Sequence, residues 1–128
     1  MNHHASIRKT ADTEYIGKPI LKTDNKSVRE WYIANVSDIP NRIDKTQSLD
    51  EQSKQAFEMR NQIKREARLA MTDEETVKKL ERTRPVPEWD ELVADKMRRK
   101  AMTREQAIRD ILETASKTNV NVNREFDL

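Results

Sequence analysis

The chain has 128 residues, room for one small domain and a tail. Its 25 basic and 23 acidic residues leave a net charge of only +2, so a case for a polyanionic partner must rest on local clustering. With no cysteine, one glycine and two histidines, the composition excludes disulfides, thiolate nucleophiles and cysteine-based metal sites. It also speaks against Gly-rich phosphate loops.

Taken in chain order, residues 1–25 read as a polar, irregular leader carrying the adjacent His3 and His4. Tyr15, Ile16, Ile20 and Leu21 are its apolar positions, and they allow either local packing or a short strand. Beyond the leader, capping boxes recur at Ser27-x-x-Glu30, Ser48-x-x-Glu51, Thr72-x-x-Glu75 and Thr103-x-x-Gln106. Each pairs a hydroxyl with an acceptor three residues on, and each precedes a helix-period apolar pattern. The spacing predicts a helix over 28–36 with Trp31, Tyr32 and Val36 inward, broken at Ile39-Pro40. The longest helix is predicted over 49–71, with Ala56, Met59, Ile63, Ala67 and Ala70 facing a core. A third covers 73–82. A fourth opens at Pro87, after the Pro85-Val86-Pro87 turn, and runs to Lys100 with Trp89, Leu92, Val93, Lys96 and Met97 as its stripe. A fifth covers 104–116, with Ala107, Ile108, Ile111, Leu112 and Ala115 inward. The expected fold is all-α: a compact bundle of five helices (26–128) between an irregular leader (1–25) and an irregular C-terminal tail.

The long helix carries the clearest chemical signal. Arg60, Lys64 and Arg68 recur every four residues beside its apolar row, flanked by Asn61 and Arg65. Side chains one turn apart can meet successive backbone phosphates, and Arg forks suit phosphate oxygens. The alternative is a solvated face. No apolar run reaches the length of a membrane span, and the chain lacks the hydrophobic core of a signal peptide. Asp73, Glu74 and Glu75 read as an acidic first turn, not a cation loop, so neither metal nor cofactor is expected.

Several segments carry a family resemblance. They are Ser27-Val28-Arg29-Glu30-Trp31-Tyr32, Ile39-Pro40-Asn41-Arg42-Ile43-Asp44, the run from Gln55 to Ile63, Ala67-Arg68, Met71-Thr72-Asp73, and Ser116-Lys117-Thr118-Asn119 through Val122-Asn123. In order and spacing they resemble the C-terminal toxin domains of bacterial contact-dependent growth inhibition and filamentous-haemagglutinin-like polymorphic toxins. Within these, the similar group is the all-helical tRNA-cleaving nucleases, which include one activated by O-acetylserine sulfhydrylase. The resemblance spans roughly residues 26–128. It implies an antibacterial ribonuclease that is delivered from the cell surface as part of a larger toxin. Such an enzyme acts on tRNA in the target-cell cytoplasm and is neutralised by a cognate immunity protein.

Two departures accompany it. The sulfhydrylase-dependent relatives end in Gly-Tyr-Gly-Ile, whereas this chain ends Glu125-Phe126-Asp127-Leu128. Phe126 and Leu128 keep an aromatic and an aliphatic side chain beside the terminal carboxylate, but Asp127 adds bulk and charge and weighs against that partner. The alternative for Phe126 and Leu128 is docking on the domain's own core. Nor does any histidine lie inside the domain, although some related nucleases use one.

Cleavage of RNA by the neighbouring 2′-hydroxyl needs a base, an acid and donors for the charged phosphorane. Without His or Cys, the base falls to a carboxylate and the acid to a lysine. On these grounds Arg60, Arg68, Asp73, Glu91 and Lys117 are the catalytic candidates. Asn61, Lys64, Arg65, Thr118, Asn119 and Asn123 are candidates for holding phosphate, sugar or base edges, and Trp89 for stacking an unpaired base. The competing readings are helix-dipole compensation for Asp73, a solvated face for Glu91, core packing for Trp89, and a helix cap with a polar tail for residues 116–123, where the functional reading of Lys117, Thr118, Asn119 and Asn123 is raised only by the resemblance. A non-enzymatic helical module binding RNA or protein is the alternative function.

Overall fold

Four side-chain caps mark where the helices begin. Asp24 accepts from the Ser27 amide at 2.8 Å and opens α1 (Asn25–Ser37). Ser48 accepts from Glu51 and opens α3 (Leu49–Met71). Asp73 accepts from Thr76 at 2.8 Å and opens α4 (Glu74–Thr83). Thr103 and Gln106 form a reciprocal capping box and open α6 (Arg104–Thr114). Two of the expected hydroxyl caps are thus replaced by a nearby aspartate, whose charge is also favoured at the positive end of the helix dipole. The remaining helices are α2 (Ile39–Arg42), a single turn with a proline at its start, and α5 (Trp89–Lys100). The computed structural model describes residues 15–118, and within them all six elements are helices. The all-α expectation holds. Three details differ: Pro40 starts its own short helix instead of simply ending α1, Pro87 precedes the N-cap Glu88 of α5 instead of opening that helix, and the strand allowed near Tyr15–Leu21 is absent among the described residues.

The long helix organises the rest. At a rise of about 1.5 Å per residue α3 spans roughly 34 Å, enough to serve two cores. Its small side chains Ala56, Ala67 and Ala70, with Ile63, are buried, so α1 can approach its backbone closely. Val28, Trp31, Tyr32 and Val36 of α1, Ile39 and Ile43 fill that first core, which Ala115 joins from beyond the end of α6. Burial of each large side chain contributes about 1.5–3 kcal/mol before entropy is counted. The second core is Val93 of α5 with Ala107, Ile108 and Ile111 of α6. Leu49, Phe57, Trp89, Leu92, Met97 and Met102 pack around it. Between the cores, the fully buried Ser53 hydroxyl donates to the Ile108 carbonyl and ties α3 to α6.

Part of the predicted leader belongs to this packed body. The buried Asn35 amide donates to the Tyr15 and Trp31 carbonyls and accepts from the Gly17 amide. The Trp31 indole N–H donates to the Lys18 carbonyl at 2.8 Å. Gly17, at φ +74°, supplies the left-handed residue that this turn needs. Tyr15 and Ile20 rest on the first core, whereas Leu21 is exposed.

At the end of α5 the chain turns without glycine. Ala101 adopts φ 52°, ψ 44°, and the Met102 amide donates back to the Met97 carbonyl. That is a left-handed helix stop, made here by a residue that pays a steric penalty for it.

Candidate functional site

Lys96 is half-buried on the stripe of α5 that also carries Leu92, Val93 and Met97. Such a lysine must carry its ammonium to a polar partner or remain uncompensated. It reaches Asp110 on α6 and forms a hydrogen-bonded ion pair with it, only 14% and 24% of the two side chains being exposed. The hydrogen bond from Lys96 holds the Asp110 carboxyl below its ordinary value of 3.8. Partial burial opposes this, and the charges of Lys96, Lys100 and Lys117 add to it.

Lys96, but not Asp110, lines a cavity of about 450 Å³ between α3, α5 and the end of α6. Its polar lining comes from Arg60, Lys96, Thr114, Lys117 and Thr118. Arg60 crosses from α3 to the C-terminus of α6. Its Nη1 donates to the Thr114 carbonyl at 3.3 Å, to Ala115 at 2.8 Å and to Lys117 at 2.5 Å. These are carbonyls that a helix end leaves unsatisfied, and a guanidinium there also meets the negative end of the dipole. Lys117 itself is exposed at the rim and has no ion pair among the described residues.

The cavity therefore joins three of the sequence candidates, Arg60, Lys117 and Thr118, and gives Arg60 a different part from the one expected. It is a clamp on the backbone that carries Lys117, not an open phosphate ligand. Arg65 is engaged as well, in a 3.0 Å ion pair with Glu81 that fastens α4 to α3. Lys64 and Arg68 are half-buried and each has its own partner within the protein, so the basic row is not an open comb. Asn61 is half-buried one residue on from Arg60. Asp73 is the exposed N-cap of α4, not a residue of its first turn. The Thr76 amide and hydroxyl lower its pKa, so capping explains it and it makes a poor base. Glu91 is exposed beside a separate cavity of about 440 Å³ with Pro87 and Asp95. Trp89 is half-buried, packs on Phe57 with ring centroids 5.8 Å apart, and lies against the second core. Asn119, Asn123, Phe126, Asp127 and Leu128 lie outside the described residues.

Lys96 and Asp110 were not singled out by their sequence context. The signal was nevertheless there: a lysine at an inward position of an apolar stripe, and an aspartate one residue before Ile111 on the facing helix. Among the described residues no group of three His, Asp or Glu side chains is placed to hold a metal ion. No helix among them is long and apolar enough to cross a membrane. A larger cleft of about 780 Å³ lies on the other side of α3, between Lys18, Arg42, Glu58 and Glu66.

Comparison with protein-family models, with curated proteins and with solved structures finds no match to this chain. Chemically, the cavity offers the Lys96 and Lys117 ammonium groups and the Arg60 guanidinium around an open volume, with Asp110 held on Lys96. That set can bind an anion.

Proposed function

We propose that this protein is a ribonuclease that cleaves tRNA, the toxin domain of an antibacterial system, countered by an immunity protein. The observation that carries the catalytic part is Lys96, which lines a cavity with Lys117 and is ion-paired to Asp110. The toxin setting and the tRNA target rest on the sequence resemblance alone.

In this reading a phosphodiester enters the cavity and its non-bridging oxygens meet Lys117 and the Thr118 hydroxyl. The ribose 2′-oxygen attacks phosphorus while its proton passes to the Asp110 carboxylate. The bond to the 5′-oxygen breaks, and Lys96 protonates that oxygen. The products are a 2′,3′-cyclic phosphate and a 5′-hydroxyl. A lowered pKa makes Asp110 a weak base at rest. As Lys96 gives up its proton, however, the carboxylate loses its charge partner and its proton affinity rises. The proton taken by Asp110 then returns to Lys96 along their hydrogen bond, which resets the pair. Arg60 acts as a positioning residue that holds the Lys117 backbone.

The test is a gel of bacterial tRNA incubated with the purified protein, with and without Mg²⁺ and O-acetylserine sulfhydrylase. The expected result is discrete fragments with cyclic phosphate ends that vanish with Lys96→Met and with Asp110→Asn. Intact RNA in every condition would overturn the enzymatic reading. RNA retained by the protein without new ends would establish the non-enzymatic binding module in its place.

A further inference from the structure

Among the described residues no carboxylate lines the cavity, and three lysines, Lys96, Lys100 and Lys117, act on the nearby Asp110. Lys96 and Lys117 line the cavity itself. Lys100 lies four residues beyond Lys96 on α5, and therefore one turn further along the same face. Neither Lys100 nor Lys117 has an ion pair among the described residues, so their charge is not cancelled inside the protein. Arg98 and Arg99, by contrast, both close on Asp95. The neighbourhood therefore carries an excess of positive charge along one line, from the cavity to the end of α5. The basic row of α3, where the sequence periodicity points, is engaged instead, at Arg60, Lys64, Arg65 and Arg68.

We propose that the nucleic-acid strand runs along α5, with one phosphate in the cavity at Lys96 and Lys117 and the adjacent phosphate on Lys100. The ligand class is a single, unpaired strand. The turn-to-turn step of a helix is about 5.4 Å, comparable with the spacing of neighbouring phosphates in one chain. A cavity of about 450 Å³ has room for one nucleotide unit. A flexible strand can bend a phosphate into it, whereas a duplex holds its phosphates on a rigid cylinder. Electrostatic coupling of Lys96, Lys100 and Lys117 to the same Asp110 agrees with their convergence. This inference deepens the ribonuclease reading by naming the strand's path, and it can fail separately from it.

The experiment uses the full chain and a fluorescent oligothymidylate, a DNA strand that lacks the 2′-hydroxyl and so is bound without being cut. Affinity is measured against salt for the parent protein, Lys100→Ala, Lys100→Arg and, as an exposed control on α1, Lys26→Ala. Lys100→Ala is expected to weaken binding several-fold at low salt and to reduce the slope of log K against log salt by about 0.7, the loss of one single-strand phosphate contact. Lys100→Arg keeps the slope, and Lys26→Ala changes nothing. An unchanged slope in Lys100→Ala, an equal loss in Lys26→Ala, or no binding of the parent would overturn the α5 path. Equal binding of poly-glutamate with the same Lys100 dependence would do so too. tRNA cleavage with an unaltered Lys100 slope would leave the nuclease standing and the path refuted. A Lys100-dependent slope without cleavage would leave the path standing and the nuclease refuted.

Discussion

Arg60 Nη1 lies 2.5 Å from the carbonyl oxygen of Lys117, fifty-seven residues later in the chain. The contact joins the middle of the longest helix to the point where α6 ends, and it fixes where a rim cation stands relative to the Lys96–Asp110 pair. Arg60→Ala removes this clamp and leaves the Thr114 and Ala115 carbonyls without it too. We expect a stability loss of about 1–2 kcal/mol in urea unfolding, with the helical circular-dichroism signal of the folded state retained. Cleavage of tRNA should fall further than stability accounts for, mainly in kcat, and Arg60→Lys should recover only part of it. Unaltered stability would remove the clamp from the account.

The Lys96–Asp110 pair is mostly shielded, so removing one partner strands the other. Lys96→Met should lower cleavage at least about a hundredfold, as the loss of an acid does. Asp110→Asn should do the same while leaving strand binding nearly intact. Arg65→Ala breaks the tie to Glu81 instead. It should cost under about 1 kcal/mol, since that pair is more than a third exposed, and should leave turnover per folded molecule unchanged. Single-turnover rates on one tRNA substrate separate the three outcomes.

Acid should destabilise the protein only below the ordinary carboxylate range. Asp24, Asp44, Asp73 and Asp110 all have folded-state pKa values below 3.8. A group depressed in the folded state releases its proton more readily there than when unfolded. Its contribution is therefore complete above about pH 4 to 5 and is lost as pH falls through the lower folded value. Unfolding midpoints should stay level from neutrality to that range and drop beneath it. Asp110→Asn should flatten part of the drop. A midpoint that falls between pH 7 and 6 would point to groups other than these.

Ala101 offers a stabilising change. Its left-handed conformation costs an L-residue about 1 kcal/mol that glycine does not bear, and the position is exposed with nothing of its side chain to lose. Ala101→Gly should raise the melting temperature by a few degrees despite the added freedom of the unfolded chain. A lowered melting temperature would argue that the turn is not left-handed in solution.

The Ser53 hydroxyl is buried and donates to the Ile108 carbonyl between the two cores. Ser53→Ala should cost about 1–2 kcal/mol by leaving that carbonyl without its donor, and Ser53→Val more, because the space where α3 meets α6 is filled. Chemical denaturation of the two variants gives the order, and a stable valine variant would show that the interface has slack.

Helix positions and their inward faces were legible in the sequence because they depend on local regularities. Ala56, Ile63, Ala67 and Ala70 on one face of residues 49–71, or Ala107, Ile108 and Ile111 on another, repeat at the period of the helix and are buried as that period requires. Thr103 with Gln106 was legible for the same reason, since both halves of a capping box lie within one turn. Caps at Asp24 and Asp73 were less so, because a hydroxyl and a carboxylate close in sequence compete for the same amides and only the entry direction of the chain decides between them. The site was legible only as a set of types. Periodicity placed Arg60, Lys64, Arg65 and Arg68 in a basic row, but it carries no information on which partners the fold would bring to them. Packing turned Arg60 toward a helix end 55 residues away, gave Arg65 to Glu81, and set the half-buried Trp89 against Phe57. Lys96 meets Asp110 for the same reason. Their helices are neighbours in space through the second core, and a long-range juxtaposition of this kind is fixed by the summed burial of many side chains, none of which announces it alone.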